Sequence, residues 1–139
     1  MPEFSKRSID RLSTCDLRLQ LIFTEVIKHI DCTILCGHRS EQEQTEAYNS
    51  KKSKVQFPNS KHNNYPSYAV DVAPYPIDWN DKDRFFHLAA AVFDVAKQLG
   101  VKIRWGGDWD MDGDTTDQTF NDLPHFELTK EEIEDGRRT

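Results

Sequence analysis

The 139 residues are 37% hydrophobic and 30% charged, a balance that suits one folded domain and excludes wholesale disorder. Lys and Arg number 18 against 24 Asp and Glu, leaving a net charge of −6 whose field repels phosphate backbones and argues against a nucleic-acid partner. No apolar run reaches the ~18–20 residues of a membrane span, and Met1-Pro2-Glu3-Phe4-Ser5-Lys6-Arg7 lacks the apolar core of a secretory signal, so synthesis in the cytoplasm without membrane insertion is expected.

A single domain over 1–139 is expected, with 1–12 and 130–139 as peripheral ends. From Ser13 onward Leu19, Ile22, Phe23, Val26 and Ile30 recur at helical spacing, which predicts a helix from about Thr14 to His29. Asp31 to Cys36 is rich in β-formers and stops at Gly37. Cys15, Cys32 and Cys36 are an odd number without an export signal, which argues against disulfides. A thiolate site from Cys32, Cys36 and His38 fails on reach, because a strand places the two thiols roughly 13 Å apart at ~3.3 Å per residue. The cysteines therefore read as small core residues.

Ser40 and Glu43 have the spacing of a capping box, so a helix is expected from Glu41 to about Asn49, with Arg39 at its strand-to-helix corner. Such a corner suits a guanidinium that grips a carboxylate or a developing oxyanion, although this stretch alone favours a surface salt bridge. Lys51, Lys52, Lys54 and Lys61 lie in a polar loop that is either simply solvated or a rim attracting anionic substrate. Tyr68 to Ala73 reads as a buried strand, and a carboxylate inside it, Asp71, needs a cation or metal beside it.

Asn80 with Asp83 opens another helix, with Phe86, Ala89, Ala90, Phe93, Ala96 and Leu99 as its apolar face and Gly100 as its stop. Val101 to Trp105 is a strand entering Gly106-Gly107-Asp108. The run Asp108, Asp110, Asp112, Gly113, Asp114 copies the first half of a calcium loop, but its twelfth position is Thr119 rather than Glu. A calcium site and a solvated acidic turn remain equal readings. His125 to Leu128 has strand character after Pro124, and Thr129 with Glu132 suggests a last capped turn.

Two histidines and a carboxylate, His62, Asp71 and His125, are the ligand set of a catalytic zinc whose fourth position is left to water, and Asp122 could serve as a base. Each lies at or beside a predicted strand. Spacing alone leaves a metal site and a set of satisfied polar residues equally open.

The motifs Ser60-x-His62 with Ala69-x-Asp71, Trp105-Gly106-Gly107-Asp108 and Asp122-x-x-His125 resemble those of the zinc peptidases that include D-alanyl-D-alanine carboxypeptidases and phage L-alanyl-D-glutamate endopeptidases, within the hedgehog-like fold group. The likeness runs from Gly37-His38-Arg39-Ser40 to Leu128. It implies an α+β fold, a small central mostly antiparallel sheet carrying the zinc site under about three helices. It also implies Zn2+ on His62, Asp71 and His125, Asp122 as the catalytic carboxylate, Arg39 on the substrate carbonyl or oxyanion, and Ser60 and Trp105 at the substrate. One departure stands out: 71 − 62 = 9 positions separate histidine from aspartate, against seven in the family pattern, and that leaves the shape of one cleft wall open.

The implied function is hydrolysis of peptidoglycan stem peptides by a monomeric, endolysin-type L-alanyl-D-glutamate endopeptidase that reaches the wall after release through the inner membrane. Alternatives are a D,D-carboxypeptidase or dipeptidase of cell-wall metabolism, and a non-catalytic metal-containing binding module. Ca2+ on Asp108, Asp110, Asp112 and Asp114 would be compatible with the first.

Overall fold

The structure, a computed structural model, describes residues 2–111 and 122–137. Its elements in chain order are α1 (Lys6–Leu12), α2 (Leu17–Val26), β1 (Cys32–Cys36), α3 (Glu41–Asn49), a 3-10 turn (Lys61–Asn63), β2 (Ala69–Pro74), α4 (Lys82–Leu99), β3 (Ile103–Gly106), β4 (Asp122–Leu128) and α5 (Lys130–Arg137). The strands form one antiparallel sheet in the order β1-β2-β4-β3. The fold is thus α+β, with the expected helices present as α2, α3 and α4. Among the described residues no helix is long and apolar enough to cross a membrane.

Two further helices form at the ends of the chain. In α1, expected to be a peripheral segment, Ser8 and Leu12 are buried, and the Ser8 hydroxyl accepts the backbone N–H of Ile34 in β1 at 3.0 Å. The helix expected from about Thr14 starts later: Ser13 ends α1, and Asp16 caps α2 by accepting the N–H of Arg18. At the other end, Thr129 Oγ1 accepts the N–H of Glu132 at 3.1 Å and opens α5.

Alternation along the strands divides the sheet into two chemically different faces. Ile34, Val70, Val72, Ile103, Trp105, Phe126 and Leu128 turn to one face and are buried with Leu19, Ile22, Phe23 and Val26 of α2 and Leu88 and Val92 of α4. Each such side chain contributes ~1.5–3 kcal/mol when fully buried, so this layer holds the fold together. Phe126 is its centre, packed edge-on to Phe23 at 5.7 Å and stacked with Trp105 at 6.4 Å.

The apolar face of α4 differs from expectation. Phe85, Leu88, Ala89, Val92, Val95 and Ala96 are the buried positions, while Phe86, Phe93 and Leu99 are exposed. Two apolar stripes run side by side on this helix, and helical periodicity does not say which of them meets the sheet. The helix does stop as predicted, at Gly100 with φ 72°.

The opposite face of the sheet carries the polar residues. Asp71 pairs with His125, Ala69 with Glu127, and Arg104 with Glu127, so register alone sets Asp71, His125, Glu127 and Arg104 on one surface. A register shift between Ile34 and Cys36 brings Cys36 opposite Asp71 on this same surface, although its spacing from Ile34 would send it to the core. Cys15 and Cys32 are buried as expected, with burial pushing both thiols up to about 12. Cys36 is the exception: its sulfur lies 3.9 Å from His62 Nδ1.

Candidate metal centre

The polar face floors a cleft of about 1280 Å³. His62 is delivered to it by the 3-10 turn, which Ser60 and Asn63 close as a capping box. The turn is tied to the β1–α3 corner, because Arg39 N–H donates to the His62 carbonyl at 2.8 Å and the Asn63 amide donates to the Arg39 carbonyl at 3.1 Å. Gln44, fully buried in α3, receives Arg39 Nη1 at 3.0 Å and the Asn63 amide at 3.2 Å on its carbonyl oxygen. Its own amide donates to Val55 O at 2.6 Å, anchoring the lysine-bearing loop. Nothing in helical spacing distinguishes Gln44 from the exposed residues around it.

Three donor atoms meet at one point. His62 Nε2 is 3.2 Å from Asp71 Oδ1 and 3.3 Å from His125 Nδ1, and His125 Nδ1 is 3.1 Å from Asp71 Oδ1. Among the described residues these three form the one group of His, Cys, Asp and Glu side chains placed to hold a metal ion. Their outer atoms set the tautomers. His62 Nδ1 lies 2.7 Å from the Gly37 carbonyl, which can only accept, so the proton sits there and the Nε2 lone pair faces the centre. His125 Nε2 lies 2.8 Å from Glu127 Oε1, so its proton faces Glu127 and the Nδ1 lone pair faces the centre. Two imidazole lone pairs 3.3 Å apart repel unless a cation sits between them, and a carboxylate completes the demand. The donor set fits a divalent ion of borderline softness with a coordination position left open.

Electrostatics point the same way. Burial favours neutral His62, but the Asp71 carboxylate overrides it and pushes the imidazolium up to about 10 in the metal-free site. Burial likewise opposes ionisation of Asp71, yet the facing imidazoles hold its carboxyl far below the ordinary range. A buried anion that draws protons onto its neighbours is equally ready to draw a metal.

Asp122, at the start of β4, lines the cleft beside these groups. Burial, with the negative charge of Asp71 second, raises its carboxyl to about 6, a poise suited to taking a proton and giving it back near neutrality. Gly106 pairs with Asp122 across the β3–β4 ladder, and a Cβ there would strike the Asp122 backbone carbonyl. Arg39 also reaches the cleft, with Nη2 3.4 Å from Asp71 Oδ2.

Ser60 lines the cleft but spends its hydroxyl on the N–H of His62 at 3.2 Å. Trp105 does not face the cleft: it is 6% exposed, packed among the core aromatics, with its indole N–H donated to the Leu123 carbonyl at 2.7 Å. It shares a face with Phe126 by register, so it supports the segment that carries Asp122 rather than presenting itself to a substrate. Lys52, Lys54 and Lys61 all line the cleft, and Lys61 donates to Glu127 at 2.6 Å.

Glu127 belongs to the site although no sequence motif marks it. It is 5% exposed, receives Lys61 and Arg104 on Oε2 at 2.6 and 2.8 Å, and orients His125 with Oε1. Burial favours its neutral form, but the imidazole and the lysine hold the carboxyl down at about 2. Its sequence signal was the shared face with His125, two positions earlier.

The longer connection between His62 and Asp71 bulges outward. Tyr65 is 71% exposed and packs edge-on to His38 at 5.1 Å, while Tyr68 N–H donates to the Lys61 carbonyl and closes the loop at its base. The cleft is lined without these residues. Of the acidic run, Asp108 and Asp110 are described, and Asp108 N–H donates to the Trp105 carbonyl in a turn; Asp112 and Asp114 lie outside the described residues.

Residues 2–129 match the family model for phage L-alanyl-D-glutamate peptidases. The L-alanyl-D-glutamate peptidase of Escherichia phage T5 is 32% identical over 121 residues, covering 84% of this chain and 88% of that protein. The crystal structure of the Serratia marcescens L-Ala D-Glu endopeptidase ChiX superposes with a TM-score of 0.75 at 25% identity, covering 94% of this chain and 93% of that one.

Proposed function

The chain belongs to the phage L-alanyl-D-glutamate peptidase family, and from that premise we propose that it is a zinc-dependent endopeptidase cutting the L-alanyl-D-glutamate bond of peptidoglycan stem peptides. The observation that carries the reading is the convergence of His62 Nε2, Asp71 Oδ1 and His125 Nδ1, with each imidazole proton tied down on the far side of its ring. A hard-cation site would be built of oxygens; two imidazoles and one carboxylate favour zinc.

When bound there, zinc acidifies a water molecule and polarises the scissile carbonyl. Asp122 takes the water proton and delivers it to the departing amine, so the proton ends on the new D-glutamyl amino group. Arg39, held by Gln44, brings positive charge to the carbonyl oxygen as it becomes an oxyanion. The cleft wall around Lys52 and Lys54 faces the anionic part of the stem peptide. The wall being the substrate, action follows delivery to the periplasmic side of the host membrane.

Two variants separate the roles. Asp122→Asn is expected to bind one zinc per chain and to lose hydrolysis of a synthetic stem peptide by ~10²–10⁴-fold. His62→Ala and His125→Ala are expected to lose the metal itself. Full zinc content in both histidine variants would overturn the ligand assignment, and unaltered turnover by Asp122→Asn would overturn the base. Mass spectrometry of digested sacculi identifies the bond: new D-glutamyl amino ends support the endopeptidase, released D-alanine a carboxypeptidase.

A further inference from the structure

Between β2 and α4 the chain exposes three apolar side chains in five residues: Tyr75 and Trp79 are each 56% exposed and Ile77 is 40% exposed. Exposed apolar side chains gathered in one short segment make it a candidate contact surface. The patch borders the candidate metal centre, because Trp79 lines the same cleft as Asp71 and Asp122.

The indole is held in place. Trp79 stacks on buried Phe85 with ring centroids 5.5 Å apart and planes 21° apart, and the pair lines the cleft. Its loop is braced by Arg84 Nη1 on the Pro76 carbonyl at 2.6 Å, by the Asn80 N–H on Asp78 Oδ1 at 3.0 Å, and by the Tyr75 N–H on the Asp31 carbonyl at 3.1 Å. A flat aromatic face, fixed in orientation before any ligand arrives, costs little entropy to use.

The occupant follows from the substrate. The L-alanine of a stem peptide is joined through a lactyl group to an N-acetylated sugar of the glycan strand, so the sugar begins one residue from the scissile carbonyl, within roughly 7–10 Å of chain reach. Trp79, Asp71 and Asp122 line one cleft of about 1280 Å³, room for a sugar beside the scissile peptide. A pyranose presents C–H groups on one face, an apolar surface that stacks on an indole, while its hydroxyls and acetamido group stay with water. The neutral sugar thus matches an indole face that carries no charge.

We infer that Trp79 is a glycan subsite, which stacks the sugar bearing the scissile peptide and so distinguishes wall-attached stems from free peptides. This rests on the endopeptidase reading given above. The test uses zinc-loaded full-length protein and two substrates, a sugar-free stem peptide and the same peptide on N-acetylmuramic acid. Trp79→Ala is expected to lose about tenfold in kcat/KM on the sugar-bearing substrate, chiefly through KM, as removal of one aromatic stacking contact implies. Cleavage of the sugar-free peptide is expected to be unchanged, and Trp79→Phe is expected to recover most of the loss. Equal losses on both substrates, or none on either, would overturn the subsite while leaving the peptidase reading intact. A wild-type enzyme that cleaves neither substrate would overturn both.

Discussion

Replacing Glu127 by glutamine keeps the side chain's shape and removes one acceptor oxygen, which forces a choice. Glu127 now accepts on both sides, from His125 through Oε1 and from Lys61 and Arg104 through Oε2. Glutamine has one carbonyl oxygen, and two cations at 2.6 and 2.8 Å claim it more strongly than one imidazole N–H. Its amide then donates to His125 Nε2, and the imidazole proton must move to Nδ1, the atom that faces Asp71 at 3.1 Å. In the metal-free protein that proton is well placed on Asp71; a metal has to displace it. Zinc affinity is expected to fall 10–100-fold, about 1.4–2.7 kcal/mol. Lys61 and Arg104 keep some contact with water, their side chains being 26% and 38% exposed, so the stability cost is expected to be ~1–3 kcal/mol, below the ~3–5 kcal/mol of a fully buried broken pair. Competition with a chromogenic chelator measures the affinity, and ¹⁵N shifts of His125 report the tautomer. Zinc affinity within twofold of the wild type would show that Glu127 does not set the ring's proton.

In the metal-free protein, His62 and Glu127 are expected to contribute their full stabilisation together only from about pH 4.5 to 6.5, while Asp122, raised to about 6, costs stability increasingly as the pH rises from about 4 to 6. His62, raised to about 10 when folded, contributes stability that is complete below its unfolded value and lost as the pH rises through about 10; Glu127, lowered to about 2, contributes stability present above its unfolded value and lost as the pH falls through about 2. Thermal unfolding against pH after chelation, with no decline on either side of that window, would contradict both assignments. Zinc loading at pH 8 is expected to release about one proton, visible as a dependence of binding heat on the buffer's ionisation enthalpy. Gly106→Ala is expected to push the Asp122 backbone away and lower activity at least tenfold with zinc content retained, since its Cβ meets Asp122 and not the ligands; wild-type kcat in this variant would show that the β3–β4 approach does not position the base.

Local chemistry made much of this protein readable in advance. The capping pair Ser40 and Glu43 marks the start of α3, and Gly100 marks the end of α4, because orphan backbone groups at helix termini are satisfied within a few residues. A carboxylate inside the apolar strand around Asp71, and a histidine just after Pro124, already announced charged groups where only a partner could justify them. The motifs carried the rest of the family reading. What the sequence leaves open is every decision taken by packing between distant segments. Which apolar stripe of α4 meets the sheet, and that Trp105 faces the core, depend on the shape of the opposing layer around Phe126. Cys36 reaches the cleft side through a register shift that parity along β1 would deny. The ion pair of Lys61 with Glu127 joins the 3-10 turn to β4 and is set by where that turn docks on the sheet rather than by local sequence. The sequence determines which chemical groups are present and how each short segment folds; tertiary structure decides which lone pairs face one another, because that depends on atoms brought within ~3 Å from opposite ends of the chain.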